Sequence, residues 1–282
     1  MAAIEGAGKP LRAEVEVRLC RGLDELNACV ALQKEVWNFS DYDLIPLRLF
    51  VVAEKIGGQV IGAFAAGELV GYAMSIPGAH NSGSYLHSHM LAVRESYRNA
   101  GVGRRLKLFQ REDALARGFE LIEWTFDPLE IKNAWLNIEK LGAIARRYNL
   151  NQYGISSSPL QGGLPTDRLV AEWWLRSERV ETLLKTRRHT PVRAEMTIAV
   201  PAEIYTWKSA PQHRHKAEQV QARNREHFLD AFARGLAVLG YERDAIGNGT
   251  FLLGKWEKLI DSSEAGASQA PAPGGAIHEP AW

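Results

Sequence analysis

The chain has 282 residues, of which 46% are hydrophobic and 24% are charged, so it is long enough to bury one sizeable core. Its formal net charge of +1 argues against broad nucleic-acid binding, which usually requires a basic domain or a basic stripe. The two cysteines, Cys20 and Cys29, lack metal-ligand spacing, so we expect buried reduced thiols and neither a disulfide framework nor a metal site.

The sequence also argues against export and against a membrane location. The N-terminal residues lack the apolar core of a signal peptide, and no stretch approaches the roughly 18 uninterrupted apolar residues of a spanning helix. We therefore expect a cytoplasmic protein without a membrane partner. Residues 262–280 are rich in Ala, Gly, Ser and Pro, which predicts a disordered tail over residues 261–282.

The first half of the chain predicts strands and helices in a mixed α/β arrangement. Apolar alternation marks the strands, helical spacing marks the helices, and glycine or proline bounds most of them. In chain order we predict a strand (15–19), two helices (23–37, 45–55), a hairpin (60–65, 69–76) turning at Ala66-Gly67, a strand (84–93), a helix (104–117), a strand (119–126), a helix (130–141) and a strand (143–148). The order is β-α-α-β-β-β-α-β-α-β.

The second half begins with a long connection, residues 149–166, which is rich in Gly, Ser and Pro and is expected to be exposed. We then predict a strand (168–175), a helix (176–188), a strand (194–200), a long helix (212–239) and a strand (250–256). We assign residues 14–188 to the main domain and residues 189–260 to a smaller α+β appendage. The appendage either extends the sheet or makes a homodimer contact.

The stretch HSHMLAVRESYRNAGVG, residues 87–103, joins a strand with two histidines to a glycine-bearing loop and a helix. Free amides at a helix start attract anions, and glycines let a ligand approach the backbone. Arg98, Arg104 and Arg105 add positive charge at the same end, so the loop predicts a pyrophosphate site. Alternation along the strand places five side chains on one face: Tyr85, His87, His89, Leu91 and Val93.

The loop carries a family resemblance. Arg98-x-x-Gly101-x-Gly103, after a strand ending Leu91-Ala92-Val93, resembles the acyl-CoA loop of the GNAT superfamily of N-acyltransferases. The resemblance implies a GNAT fold over residues 14–188, with acetyl-CoA or another acyl-CoA as co-substrate and no metal. It implies that Leu91, Ala92 and Val93 hold the pantetheine through their backbone and that the Leu91 amide binds the thioester carbonyl. The residues implied to hold the pyrophosphate are Arg98, Asn99, Ala100, Gly101, Val102, Gly103 and Arg104.

The resemblance extends beyond the loop. Residues 37–180 are similar to a little-characterised group of bacterial GNAT acetyltransferases, with WTFDPLEIKNAWLNIEKLGA at residues 124–143 and GLPTDRL at residues 163–169. This similarity implies an acetyltransferase without fixing the acceptor.

The two histidines have a more specific parallel. His87-x-His89-x-Leu91-Ala92-Val93 is similar to the strand of arylalkylamine N-acetyltransferase, whose paired histidines relay a proton from the amine. The similarity implies that His87 is the base and His89 the relay. Histidine suits the task because its reference pKa of about 6.5 leaves much of it neutral near pH 7. The alternative is that both imidazoles only satisfy backbone or carboxylate partners in the core.

The general acid has more than one candidate. Many GNAT enzymes place a tyrosine four residues before the glycine that ends the penultimate helix, and this chain has Ile138 there. Either the thiolate leaves without a proton donor, or Tyr148 or Tyr153 donates, although a packing role is the alternative for both tyrosines.

Other polar residues are candidates for binding. Asn133 and Asn137, four apart on one predicted helical face, could hydrogen-bond the pantetheine of the cofactor or the acceptor. Four residues at predicted strand ends or loop edges are candidates for acceptor contacts, with ordinary solvation or ion pairing as the alternative: Asp127, Glu130, Asp167 and Arg168.

Two function classes follow from these observations. The first is an N-acyltransferase that moves an acyl group, acetyl by default, to a small amine or amino acid by direct attack in a ternary complex. Both cysteines lie far from the loop in sequence, which argues against an acyl-enzyme. The second is a non-catalytic CoA-binding module in which the loss of the tyrosine at Ile138 marks decay. The retained histidines favour the enzyme.

Overall fold

The computed structural model describes residues 14–80, 83–154, 156, 158, 161–188 and 191–256. Within these residues ten strands form one sheet in the order β1-β2-β3-β4-β5-β7-β6-β9-β10-β8. The strands are β1 (Val15–Leu19), β2 (Gln59–Ala65), β3 (Glu68–His80), β4 (Gly83–Val93), β5 (Leu121–Phe126), β6 (Ile144–Asn149), β7 (Arg168–Trp174), β8 (Met196–Val200), β9 (Leu236–Arg243) and β10 (Gly249–Lys255). The expected disordered tail, residues 261–282, lies outside the described residues.

Helices cover both faces of the N-terminal half of the sheet. Phe50 and Tyr72 belong to the cluster under the first two helices, whereas Ala73 packs with Leu106 of the third helix on the other face. The helices are α1 (Gly22–Trp37), α2 (Leu47–Lys55), α3 (Val102–Ala116), α4 (Ile131–Ala134), α5 (Glu178–Thr186), α6 (Ile204–Ser209) and α7 (Arg214–Ala233). None of the helices in the described ranges is long and apolar enough to cross a bilayer.

Strand β4 pairs with β5 in parallel, whereas every other pairing in the described sheet is antiparallel. Parallel neighbours need a crossover connection, and α3 supplies it between the two strands. The loop that opens α3 therefore follows directly from the end of β4. This topology places the predicted anion loop beside the junction of β4 and β5.

The predicted element order is confirmed as far as β6. The hairpin of β2 and β3 turns at Ala66 (φ 49°) and Gly67 (φ 83°), and two positive φ angles are typical of the type I′ turn that matches strand twist. Cys20 and Cys29 are free, buried thiols, as predicted, and their Sγ atoms lie 3.9 Å apart.

The prediction of a helix over residues 212–239 was wrong at its C-terminal end. Helix α7 stops at Ala233, Gly235 adopts φ +75°, and the following residues form β9. Leu236 and Leu239 continue the helical spacing of the preceding residues, but both belong to the strand. Sequence spacing also missed α6, because six residues are too few to show a helical period.

The predicted helix over residues 130–141 also differs in form. Helix α4 has α-helical geometry only over Ile131–Ala134 and continues as a π-helix over Trp135–Lys140. Its wider turn, closed by the bond from the Leu141 amide to the Leu136 carbonyl, is frequent at functional sites.

The C-terminal segment extends the sheet, which is one of the two arrangements left open by the sequence. Ala145 of β6 pairs with Val238 of β9, and β10 and β8 follow outward. The largest core cluster contains residues of both segments, including Trp173 and Phe251, so the two segments share buried surface.

Replacing Phe251 with alanine is expected to lower the free energy of unfolding by about 3–5 kcal/mol, the usual cost of removing a buried phenyl ring. Phe251 is fully buried, and its ring centroid lies 4.6 Å from that of Tyr241 and 5.2 Å from that of Phe228. Urea unfolding followed by tryptophan fluorescence measures the change. Thr250→Ala on the same strand is the control, and a loss below about 1 kcal/mol for Phe251→Ala would contradict the shared core.

Candidate active site

Strand β4 contains a β-bulge at His89. Met74 of β3 pairs with Met90, and the next β3 residue, Ser75, pairs with Ser88, so His89 is an extra residue with no partner on β3. A bulge of this kind bends the strand and changes the direction of the side chains that follow it.

The bulge changes which side chains of β4 share a face. Ser88 Oγ accepts a hydrogen bond from Lys107 of α3, and Leu91 and Val93 also lie beside Gly103 of α3. These side chains therefore share the α3 face, and His87 points to the opposite face. The prediction of one face for all five alternate residues was wrong, because the extra residue reverses the alternation.

The pairing of β4 with β5 is short. It consists of Leu86 with Ile122 and His87 with Glu123. From Ser88 onward β4 has no partner on this side among the described residues, while β5 remains paired with β7 as far as Phe126. The two strands thus diverge directly after His87, and the bulge lies at the start of the gap.

The predicted anion loop leads into α3 as expected. Asn99 (φ 59°) and Gly101 (φ 79°) are both left-handed, and α3 begins at Val102. The first helical hydrogen bond runs from the Arg105 amide to the Gly101 carbonyl at 3.0 Å, so the amides of residues 102–104 precede the hydrogen-bond ladder. Such amides form an anion site.

The two imidazoles are neighbours. Their ring centroids lie 6.0 Å apart, both side chains are partly buried, and neither ring has a hydrogen-bond partner within the described part of the chain. Burial, with the positive charges of His89 and Lys107, lowers the pKa of His87 to about 4, and burial also lowers the pKa of His89. Both rings are therefore neutral near pH 7, and no core group of the described residues occupies their nitrogens.

Lys107 is a buried amine that the sequence reading missed. Its Nζ donates to Ser88 Oγ at 3.1 Å and to Gln110 Oε1 at 2.6 Å, and it lies 3.7 Å from a ring centroid of Trp124. Burial lowers its pKa well below the ordinary value. The available signal was a lysine beside Leu106 on the apolar side of α3.

Glu123 is the second residue that was missed. It is the register partner of His87, its side chain is 6% exposed, and its carboxylate lies 3.2 Å from His80 Nε2 and accepts from Arg147. The available signal was a carboxylate in the middle of the apolar strand LIEWTF. We use the name histidine face for the sheet face that carries His87, Glu123 and Thr125.

Tyr153 and Arg168 reach the histidine face. Tyr153 Oη lies 2.9 Å from Thr125 Oγ1, and the Arg168 guanidinium lies 5.6 Å from the centroid of the Tyr153 ring. The same connection also touches α1, because Ser158 Oγ donates to the Trp37 carbonyl at 3.2 Å. Of the two tyrosines predicted as proton donors, Tyr153 is the one that lies on the histidine face.

A comparison with known protein families identifies the domain that contains this site. Residues 24–135 match the sequence model of the Acetyltransferase (GNAT) family. The matched residues form a GNAT acetyltransferase domain. The match spans α1 through α4 and includes the bulged strand and the anion loop.

Solved structures similar to the GNAT domain include three bacterial acetyltransferases. The ribosomal-protein-S18-alanine N-acetyltransferase of Escherichia coli shares 13% identity at a TM-score of 0.45, covering 56% of this chain and 92% of that one. The acetyltransferase yncA of Salmonella typhimurium, solved with acetyl-CoA, shares 14% identity at a TM-score of 0.47. The similarity covers 57% of this chain and 94% of that one. An N-acetyltransferase of Staphylococcus aureus Mu50 shares 16% identity at a TM-score of 0.47. The similarity covers 58% of this chain and 100% of that one. No curated protein sequence matches the chain significantly.

A GNAT acetyltransferase domain supports acyl transfer from CoA, and acetyl-CoA is the donor that the family binds. The residues present fit this donor. The amides of residues 102–104 offer donors for a diphosphate, with Arg98 and Arg104 nearby in the chain. Asn137 Nδ2 is buried and has no hydrogen-bond partner in the described ranges, so a buried donor there lacks an acceptor.

Asn133 and Asn137 do not share an environment in the GNAT domain. Asn133 is exposed and Asn137 is buried, because the segment from Trp135 is π-helical and residues four apart no longer align as in an α-helix. Ile138, at the family's tyrosine position, is fully buried in the main core and has no donor group.

Tyr148 and Asp167 lie away from the histidines. Tyr148 pairs with Leu169, and Leu169 pairs with Phe126, so these three side chains share one face of the sheet. Thr125 precedes Phe126 and therefore points to the other face, which is the histidine face. Tyr148 thus points away from the histidines. Its hydroxyl donates to Asp167 at 2.9 Å, and burial together with this carboxylate raises its pKa. Asp167 is fully buried and also accepts from Arg225 at 2.8 Å, so it holds α7 to the sheet.

Asp127 and Glu130 form an ion cluster with Lys208 of α6. Lys208 Nζ donates to Asp127 Oδ2 at 3.0 Å and to Glu130 Oε1 at 2.8 Å, and the lysine and Asp127 are both buried. This arrangement matches the ion-pairing alternative for both carboxylates. Sequence reading missed Lys208 because it missed α6.

The pKa of His87 predicts a pH effect on stability. Between pH 6.5 and about 4 the unfolded chain binds a proton at this imidazole and the folded chain does not, so stability falls as the pH falls through this window. The maximum loss is roughly 3 kcal/mol. His87→Gln is expected to flatten the urea-unfolding free energy between pH 6.5 and pH 4.

Nuclear magnetic resonance of the imidazole Cε1–H group measures the same pKa directly. We expect the His87 signal to titrate near pH 4. Loss of the signal in His87→Gln assigns it to this residue. A His87 midpoint near the reference imidazole pKa of about 6.5 would contradict the buried environment of the ring.

Proposed function

We propose that the GNAT domain transfers an acyl group, acetyl by default, from acyl-CoA to the nitrogen of a small amine or amino acid by direct attack in a ternary complex. The observation that carries the proposal is the position of two neutral imidazoles, without a hydrogen-bond partner among the described residues, where β4 and β5 diverge. CoA supplies an activated thioester, and the chain has to hold it, provide a neutral amine and bind the carbonyl oxygen.

The base in this proposal is His87. Its neutral imidazole accepts the proton that the amine loses, directly or through His89, whose ring lies 6.0 Å away. The lowered pKa leaves the imidazole unprotonated near pH 7, and the partly exposed pair offers the proton a route to solvent. The amine lone pair then forms the new N–C bond, and the C–S bond breaks with its electron pair on sulfur.

The remaining groups have separate roles in the proposal. The Leu91 amide, on the β4 edge beyond the bulge, binds the carbonyl oxygen as it gains charge, which is worth roughly a few kcal/mol of barrier. Tyr153 is the proposed donor to the departing thiolate, because its hydroxyl reaches Thr125 on the histidine face. The amides of residues 102–104 hold the diphosphate.

Replacement of His87 tests the base. We expect His87→Gln to lower kcat by about 10²- to 10⁴-fold while KM for acetyl-CoA changes little, because a general base acts on the chemical step. Free thiol release with a panel of amines and amino acids measures both constants. His227→Gln, at an exposed histidine on α7, is the matched control.

The non-catalytic CoA-binding module is the second candidate, and Ile138 at the family's tyrosine position favours it. Saturable CoA binding, no turnover with any acceptor of the panel and no effect of His87→Ala would support the module and contradict the transferase.

Substitution of Gly103 tests the diphosphate site. A β-carbon at this position meets only ordinary contacts, with Val93 Cγ2 at 3.8 Å and Leu91 Cδ2 at 3.9 Å, so Gly103→Ala should fold normally. Gly103→Asp adds a carboxylate in the first turn of α3, where it suits the helix but repels a diphosphate. Calorimetry should show CoA affinity reduced at least about tenfold by aspartate and little changed by alanine. Equal affinities for the two variants would contradict the site.

A further inference from the structure

A second concave region lies on the histidine face. It is a cavity of about 520 Å³ formed by the ends of β3, β5, β6 and β7 together with the chain around β9 and the end of β10. Its lining includes Glu123, Glu172, Arg146, Arg147, Trp174 and Trp256. None of these six residues entered the sequence-based candidate site.

The cavity begins next to the proposed base. Glu123 lines the cavity and is also the register partner of His87. Adjacent strands lie about 4.8 Å apart, so one strand spacing separates His87 from the edge of the cavity. His87 and the cavity are therefore neighbours through Glu123.

The carboxylates of the cavity are already satisfied. Glu172 is 2% exposed and accepts from Arg146 at 2.6 Å and from the Trp174 indole at 3.2 Å. Glu123 accepts from Arg147 and lies 3.2 Å from His80. Neither carboxylate is free to bind a cationic ligand without losing a protein partner.

The arginines retain donors that point outward. Arg146 and Arg147 use Nε and Nη2 to hold the carboxylates, and Nη1 of each has no acceptor among the residues the structure describes. Their side chains are 41% and 44% exposed, whereas the carboxylates beneath them are buried. The open side of the cavity therefore presents guanidinium groups, which bind carboxylate or other oxyanions well.

An aromatic wall completes the cavity. The rings of Trp174 and Trp256 stack at 6.2 Å, and the Arg146 guanidinium lies 4.4 Å from the centroid of the Trp256 ring. The combination of free guanidinium donors and an indole wall suits a ligand with an anionic group and an apolar body.

We infer that the acceptor is an amine that carries a carboxylate and an apolar side chain, so that its nitrogen lies at His87, its carboxylate at Arg146 and Arg147, and its side chain against the indoles. This inference rests on the proposed function. The Arg147 guanidinium contacts Glu123, which is the register partner of His87, so the inferred ligand has its amine and its carboxylate only a few bonds apart, as in an amino acid. A polyamine does not fit, because it brings cations toward the exposed guanidinium groups.

A pair of acceptors that differ only in the carboxylate provides the test. L-Phenylalanine and phenethylamine share the amine and the phenyl ring, and the aminophosphonate analogue of phenylalanine separates a carboxylate preference from a general anion preference. With acetyl-CoA as donor, we expect kcat/KM for phenylalanine to exceed that for phenethylamine by about 10- to 100-fold, the factor that a charge-assisted hydrogen bond contributes. The phosphonate should fall below the carboxylate.

Variants assign the preference to the cavity. Arg147→Gln should raise KM for phenylalanine, leave KM for acetyl-CoA unchanged and remove most of the preference over phenethylamine. Arg176→Gln, at an exposed arginine between β7 and α5, is the matched control. Since Arg147→Gln also removes the arginine partner of Glu123, 3-phenylpropanoate provides a test on the unaltered protein: it should compete with phenylalanine and not with acetyl-CoA.

The outcomes distinguish a failure of this inference from a failure of the proposed function. Equal turnover of phenylalanine and phenethylamine, or a phosphonate preferred over the carboxylate, would overturn the inference while leaving the transferase intact. CoA binding without turnover of any acceptor would overturn the proposed function and this inference together.

Discussion

The fold depends on one constraint: β4 stops pairing with β5 immediately after His87 and Glu123. The parallel connection through α3 brings the two strands together, and the bulge at His89 bends β4 as they separate. A gap between two strands of a sheet leaves main-chain donors and acceptors unused, which is costly in a closed core. The gap is therefore the natural place for an extended, amide-containing ligand, and the anion loop lies at its end.

The charged groups around the gap suit an anionic ligand. The pKa of His87 is lowered mainly by burial, with smaller contributions from His89 and Lys107, and this keeps the imidazole neutral. Arg147 pairs with Glu123, the register partner of His87, so positive charge lies one strand away. In our proposal, the loop amides attract a diphosphate and the arginines attract a carboxylate.

Local patterns predicted much of the fold, whereas long-range pairing did not follow from them. The element order, the hairpin turn and the loop that opens α3 depend on a few consecutive residues, so the sequence was sufficient. The bulge at His89 depends on its register with β3, and the contact of Glu123 with Arg147 requires knowing that β5, β7 and β6 are neighbours. Leu239 fitted a helix and a strand equally well, and only the turn at Gly235 distinguishes them.

The central claim is that the gap between β4 and β5 binds CoA. A crystal structure of the protein soaked with CoA measures this directly. We predict the diphosphate within hydrogen-bond distance of the main-chain amides of residues 102–104, the pantetheine between the two strands, and the sulfur beside His87 and His89. Electron density for CoA outside the gap, with protein side chains filling the space between the strands, would contradict the account.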